Sequence, residues 1–379
     1  MQRALIGSLR FLASRRRRER LEPSTIKVIL LVELTRLGDI IAMLPALVQL
    51  QMFFQNASIR VLVDQRYISL LSAFDTNVEF TGVDVPETAT GLTSALRFVR
   101  RLPVDLAISM SPPRKNALVT LASSSRFKLG YLSYLDSLTP FLNSTPVDAF
   151  GFLPSANTVY ARESIYTRPL KILMALGIES GPGMQRLRIK RDAYDSVHTR
   201  LSSREIIPER RFVLLHPFSG WEFRNWSLAK YIALAERIVG ELGFDVMFSC
   251  EEKDHEKVSR IAQGRSHIKI TASSDLLEVA VLMLRASLVV CGDSGPLHLA
   301  AAMNVRSVGL FGPASPELTA PMSDRGHFLY KRVECSPCDQ RTCVRPGNPC
   351  MGLHEVTEVF SSVASVLDMV SNEPVANNA

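Results

Sequence analysis

Ala286-Ser-Leu-Val-Val290 runs into Cys291-Gly-Asp-Ser-Gly-Pro-Leu-His298 and on through Leu299-Ala-Ala-Ala-Met303, and this stretch decides the fold. The apolar run before Cys291 reads as a buried parallel strand. The Ala/Leu-rich run after it has good helix propensity, and Pro296 stands near its first turn, where a missing N–H is harmless. A strand, a tight turn and a helix together leave unpaired backbone N–H groups and a positive dipole end facing an anion. Gly292 and Gly295 permit close backbone approach, and Ser294 is placed to cap the helix and add a hydroxyl donor. Asp293 and His298 stand at the same mouth, able to hold polar parts of a ligand. Alone, such a stretch is an ordinary strand-to-helix turn. Its companions elsewhere in the chain shift the reading toward anion binding.

Working outward, the same alternation recurs on both sides. Strands are predicted at Arg211–His216, Phe244–Ser249, His267–Thr271, Leu288–Cys291 and Ser307–Phe311, with helices near Leu228–Leu242, Lys253–Gln263, Leu276–Arg285 and Leu297–Met303. An earlier series has strands at Ile26–Val32, Ile59–Val63, Val78–Gly82, Val104–Ser109 and Lys128–Tyr131, with helices at Ile40–Phe54, Leu92–Arg101, Lys115–Ala122 and Tyr160–Leu176. Continuous apolar strands alternating with helices are the mark of open parallel α/β sheets. Residues 132–158, rich in Ser, Thr, Pro and Phe, have no period and read as loops at the sheet mouth. Gly177-Ile-Glu-Ser-Gly-Pro-Gly183 and the polar 191–210 segment read as the connection. A last amphipathic helix, His354–Val370, is expected to pack across both halves, followed by a loose tail. The division is therefore a basic tail (1–24), a first Rossmann-like domain (25–190), a second (191–353) and the terminal helix with its tail (354–379). The expected fold is α/β, two Rossmann-like domains facing a central cleft.

Composition agrees. At 379 residues the chain exceeds one ordinary core, and 46% hydrophobic with 21% charged residues is ordinary for a globular protein. No apolar run is long enough to span a bilayer, and nothing resembles a cleavable signal peptide. Of the net charge of +7, six units come from seven arginines against Glu19 within residues 1–20. The body is thus not a nucleic-acid-coating surface. Leu5, Ile6, Leu9 and Leu12 precede Arg15-Arg-Arg-Arg18 at helical spacing, which suits an anionic membrane surface; a basic leader with no partner is the alternative. The six cysteines are expected as reduced cytosolic thiols.

Sheets of this kind bind ligands beyond the carboxyl ends of their strands, and three turns fall there. In Thr35-Arg-Leu-Gly-Asp39, Gly38 allows close approach, and Asp39 is either a general base for an attacking hydroxyl or a helix cap. In His216-Pro-Phe-Ser-Gly-Trp-Glu-Phe-Arg-Asn-Trp226, Ser219 and Gly220 offer donors, and Arg224 offers a planar cation for a diphosphate. Trp226 has a core explanation there; Trp221, in the turn, has none. The third is the 291–298 turn, backed by Leu310-Phe-Gly-Pro-Ala-Ser315, placed to close over a base or ribose.

These motifs in this order resemble the ADP-heptose:lipopolysaccharide heptosyltransferases, glycosyltransferase family 9, over most of residues 26–360. The carriers are Leu31-Val-Glu-Leu-Thr-Arg-Leu-Gly-Asp-Ile-Ile-Ala-Met-Leu-Pro-Ala46, His216-Pro with Arg224-Asn-Trp226, Gly292-Asp-Ser-Gly-Pro-Leu-His-Leu-Ala-Ala301 and Leu310-Phe-Gly-Pro313. The resemblance implies a GT-B fold and an inverting transfer that needs no metal or cofactor. The nucleotide-diphospho-sugar donor, ADP-heptose by this resemblance, would be held by the second domain, and a lipid-linked or polysaccharide acceptor by the first. It implies Asp39 as the base and Arg224, Asp293, Ser294, Gly295, Pro296 and His298 on the donor; the turns themselves add Ser219 on the donor side and Arg36 and Gly38 on the acceptor side. Arg224 falls where the family usually has Lys, and Ser294 where Thr is commoner. Glu252 or Asp254 matches a ribose contact. Cys335, Cys338, Cys343 and Cys350 offer four thiols, but their irregular spacing reads as a packed loop rather than a metal site. The expected place of work is the cytoplasmic face of the inner membrane, with no nucleic-acid partner. Two other readings are a nucleotide-sugar epimerase, which needs no acceptor, and a silent binding partner in polysaccharide assembly, indifferent to loss of Asp39.

Overall fold

Short runs of Val, Ile and Leu with no polar alternation can be satisfied only where both faces of a strand are covered, and they build both sheets of this chain. The computed structural model describes residues 21–84, 89–111, 113–132, 150–154, 164–179, 186–338, 343–345, 347 and 349–371. The basic tail, most of the 132–158 region, part of the Gly-rich connection and the last eight residues lie outside these. By its contacts the chain forms two units. The first comprises Met1–Thr35, Met43–Ile68 and Asn77–Pro182, and the second comprises Arg36–Ala42, Ser69–Thr76 and Gly183–Ala379.

The first unit holds six parallel strands: β1 (Val28–Glu33), β2 (Ser58–Asp64), β3 (Glu79–Val83), β4 (Leu106–Ser109), β5 (Phe127–Leu132) and β6 (Phe150–Pro154), in the order β3-β2-β1-β4-β5-β6. Its helices are α1 (Leu37–Phe53, which starts in the second unit's segment), α3 (Ala89–Arg101), α4 (Arg114–Ala122) and α5 (Arg168–Ala175), while α2 (Ile68–Ala73) counts with the second unit in all but Ile68. Leu30, Val32, Leu62, Val99, Ala107 and Val119 meet in its core. Burying each of these Leu and Val side chains contributes roughly 1.5–3 kcal/mol.

The second unit repeats the plan. Its strands are β7 (Phe212–His216), β8 (Asp245–Cys250), β9 (Ile268–Ala272), β10 (Leu288–Gly292), β11 (Ser307–Phe311) and β12 (Gly326–Tyr330), in the order β12-β11-β10-β7-β8-β9, all parallel. Read from the other edge, this is the same order as the first sheet. Its helices are α6 (Arg191–Ser203), α7 (Leu228–Arg237), α8 (His255–Ala262), α9 (Leu276–Arg285), α10 (Gly295–Ala302), α11 (Pro316–Thr319), α12 (Pro349–Gly352) and α13 (Val356–Ser371). A π-helical turn, Ile238–Leu242, extends α7 to Gly243, whose φ of 69° closes the helix. Asp275 caps α9 by accepting from the Leu277 N–H at 3.0 Å.

Four expectations need correction. The 132–158 region is not all loop, since β6 pairs along β5. β12 adds an edge strand beside β11 that the sequence reading lacks. The polar 191–210 segment contains α6, which buries only Val197 and Leu201. The helix expected over Tyr160–Leu176 is described only from Arg168, with a turn before it. The terminal helix α13 buries Val359, Phe360, Val363, Val366 and Leu367 in the core of the second unit.

All six cysteines are free thiols. Among the described residues no group of three or more His, Cys, Asp or Glu side chains is arranged to hold a metal ion. Among the same residues no helix is long and apolar enough to cross a membrane.

Candidate active site

In each sheet the strand order reverses direction beside its first strand, between β1 and β4 and between β7 and β10. Ligands bind beyond the carboxyl ends at such switch points. The adjoining strand ends β7 and β10 are in register, His216 opposite Cys291.

At the end of β10 the chain turns through Gly292 and Asp293. A Cβ on Gly292 would stand 2.8 Å from the carbonyl oxygen of Arg224, so only glycine admits the neighbouring loop here. Asp293 is 2% exposed. Its Oδ2 lies 2.9 Å from Arg224 Nη1, which also donates to the Asp293 carbonyl at 3.0 Å. Thr319, at the end of α11, donates its hydroxyl to the same Oδ2 at 3.1 Å. Oδ1 is buried, accepts no hydrogen bond and lies 4.0 Å from His298 Nε2. A buried carboxylate oxygen without a donor is costly unless something fills the vacancy. Ser294 stands at the N-cap position in an extended conformation, but its hydroxyl donates back to the Gly292 carbonyl at 3.1 Å and does not cap the helix, contrary to expectation. Cys291 is a packing residue, because burial pushes its thiol up to about 12.

The loop after β7 is tied by its own side chains. Asn225 Oδ1 accepts from the Ser219 N–H at 2.8 Å, and the Ser219 hydroxyl donates to the Trp221 carbonyl at 2.6 Å. The Ser219 hydroxyl, expected as a ligand donor, is therefore spent on the loop. Trp226 is core, its Nε1–H donating to the His354 carbonyl at 3.0 Å, while the His354 ring bonds the Phe311 carbonyl at 2.8 Å. His216 closes β7; burial lowers its pKa to about 4 against the opposing pull of Glu251 and Asp254. Asp254 itself is buried and paired with Lys257 at 2.8 Å, and Glu252 is exposed.

The segment Arg36–Ala42 counts with the second unit because it lies on the start of α10. A Cβ on Gly38 would come within 2.9 Å of His298 Cδ2, and one on Gly295 within 3.3 Å of Leu37 Cβ. The Arg36 guanidinium lies over the Trp221 ring, 4.4 Å from its centroid, which accounts for a tryptophan in that turn. Asp39 is in the first turn of α1, half-buried, where the helix dipole favours a carboxylate. It acts electrostatically on His298, whose pKa burial holds below the usual imidazole range; Asp293 and Asp39 raise it in part and Arg224 lowers it further. His298 is therefore a neutral imidazole at pH 7.

Of the expected residues, the structure gathers Gly38, Asp39, Arg224, Asp293, Gly295, Pro296 and His298 around one helix start, with Arg36 on Trp221. Ser219 and Ser294 turn their hydroxyls to their own backbone. Sequence reasoning missed Thr319, Asn225 and Asn116. Asn116, in α4 of the first unit, accepts from the Leu34 N–H at 2.9 Å and donates to the buried Glu33 carboxylate at 3.0 Å and to Ser111 Oγ at 2.9 Å. Glu33 in turn accepts from the Thr35 hydroxyl, fixing the root of the turn that leads to Asp39. An Asn followed by a helix-capable run carries no signal of this role.

Two parallel sheets of Rossmann order, each with its turns at the switch point, are the architecture of the GT-B class of glycosyltransferases. Within that class the chain belongs to glycosyltransferase family 9 (heptosyltransferase), whose model matches residues 92–347. A relative from Pseudomonas aeruginosa, lipopolysaccharide heptosyltransferase 1, is 31% identical over 132 residues, 35% of this chain and 37% of the relative. The chain thus spans little more than a third of that relative's length in the match. Among solved structures, the family 9 glycosyl transferase from Veillonella parvula superposes with a TM-score of 0.73 at 18% identity, covering 92% of this chain and 99% of that one. The ADP-heptose lps heptosyltransferase II of E. coli gives 0.69 at 19% identity, covering 91% and 100%. These likenesses establish the fold.

Proposed function

We propose that the protein is an inverting, metal-independent heptosyltransferase that moves heptose from ADP-heptose onto a lipopolysaccharide core acceptor. The observation that carries this is the vacant Oδ1 of buried Asp293, set between the Arg224 guanidinium and neutral His298 at the start of α10. A fixed, buried acceptor suits a sugar hydroxyl, and the cation with the helix start beside it suits a diphosphate. Family membership and the name of the E. coli structural neighbour, which specifies ADP-heptose, support the choice of donor.

In the reaction, Asp39 accepts the proton of an acceptor hydroxyl as its oxygen bonds to the anomeric carbon. The bond from that carbon to the phosphate oxygen breaks in the same displacement, inverting the centre. The nucleoside diphosphate departs with the electron pair, and its charge is met by Arg224 and the amides after Ser294. These groups supply the charge compensation that a divalent cation supplies in other transferases. The rate should therefore survive a chelator. We place the protein at the inner face of the inner membrane, drawn there by the arginines of residues 1–20.

The test is transfer assayed with ADP-heptose and a heptose-deficient core acceptor, beside a thermal-shift series with ADP, UDP, GDP and CDP. ADP should shift the melting temperature most. Asp39→Asn should keep ADP binding and lose roughly 10²–10⁴ in turnover. Product formed at the wild-type rate by Asp39→Asn, or a stronger shift with another nucleotide, would refute the assignment.

A further inference from the structure

Arg224 seats on the β10 turn with both its backbone and its side chain. Its carbonyl oxygen occupies the space a Gly292 side chain would need, 2.8 Å from that Cβ position. Its Nη1 grips the Asp293 carboxylate at 2.9 Å and the Asp293 carbonyl at 3.0 Å. Thr319 holds the same carboxylate oxygen from the other side at 3.1 Å. Asp293 is thereby fixed by one oxygen, leaving the other vacant inside the protein. The guanidinium is a planar fork of five N–H donors, able to serve two anions at once in fixed geometry, which a lysine ammonium does not reproduce.

From this arrangement we infer that Arg224 is a positioning residue that couples recognition of the leaving diphosphate to recognition of the donor sugar, with Thr319 as its counterpart on Asp293. A diphosphate that draws on the guanidinium sets the angle at which Oδ1 is presented, and a sugar hydroxyl bound at Oδ1 tightens the hold on the guanidinium. Such coupling is reciprocal. The inference rests on the nucleotide-sugar reading above and goes beyond it, because a plain phosphate contact would strengthen binding of ADP and of the sugar nucleotide alike.

The experiment measures affinity for ADP and for ADP-heptose in the full-length wild type, Arg224→Lys, Thr319→Val, Thr319→Ser, Asp293→Asn and the Arg224→Lys/Asp293→Asn double variant, with transfer kinetics alongside. Arg224→Lys should hold ADP affinity within about threefold, since the charge stays, yet lose at least roughly tenfold of the preference for the sugar nucleotide, with the larger loss in kcat. Adding Asp293→Asn should then cost that preference little more, a non-additive pair. Thr319→Val should lose part of the preference and Thr319→Ser restore it. Equal weakening of both ligands by Arg224→Lys, or additive effects of the two substitutions, overturns the coupling. Wild-type protein that prefers a different nucleotide sugar while showing the same non-additivity sinks the ADP-heptose assignment and keeps the coupling.

Discussion

Gly38 has no side chain, and the imidazole of His298 takes the room, with Cδ2 only 2.9 Å from where a Cβ would sit. Gly38→Ala should therefore displace His298 and lower stability by about 1–3 kcal/mol through overpacking, seen as a lower Tm with an intact far-UV spectrum. His216 carries a pH signature of known sign. Its pKa is about 4 in the folded chain and 6.5 in the unfolded one. Below pH 6.5 the unfolded chain takes up a proton that the folded chain refuses, so stability present above that pH drains as pH falls toward 4 and then levels. The full loss is roughly 3 kcal/mol, and a Tm series from pH 7.5 to 4.5 should flatten in His216→Asn. Asp39, Arg224, Asp293 and His298 stand out in the sequence because the strands and helices around them are plain; the structure places Asp39 and His298 in the first turns of α1 and α10, Arg224 in the loop after β7 and Asp293 just past the end of β10. The Ser219 and Ser294 hydroxyls donate to the backbone, since a serine in a tight turn has a carbonyl within reach two residues away. Thr319 was illegible: its partner Asp293 is 26 residues distant and nothing local marks the contact.

Elements declared themselves in proportion to how much apolar surface they bury. The central strands β1, β7 and β10 are buried almost throughout and were legible to within two residues. β12 is a half-exposed edge strand, and β6 contains a glycine and ends in proline, both of which weaken the strand signal. α6 buries two side chains on an otherwise polar helix, too few for a period to emerge. α13 shows the opposite case, an apolar stripe that was plain in the sequence and that packs in the second core. Leu367 on that stripe is 2% exposed. Leu367→Ala should cost about 2–5 kcal/mol by denaturant unfolding and leave the ratio of ADP to ADP-heptose affinity unchanged. A change in that ratio would tie α13 to the site.

The whole chain carries one plan twice, two six-stranded sheets of the same order, and the repeated plan explains why the three turns that stand out in the sequence fall at strand ends beside a switch point. They follow β1, β7 and β10, three of the four strands that border a switch point. The fourth, β4, leads to Ser111 and Asn116, whose polar network supports the β1 turn from within the first unit. The concentrated charge of residues 1–20 yields a prediction for the molecule as a whole. Sedimentation with vesicles containing anionic phospholipid should weaken steeply with salt and disappear when residues 1–20 are removed, while the thermal shift by ADP persists. The chain has two tryptophans, and they report different events. Trp226, sealed in the second core, should give blue emission that shifts red only on unfolding. Trp221, under the Arg36 guanidinium in the loop after β7, should change intensity when a nucleotide arrives at the proposed site, so Trp226→Phe leaves a native fluorophore for occupancy and Trp221→Phe one for integrity. Binding and unfolding can thus be followed optically and separately in one unlabelled protein.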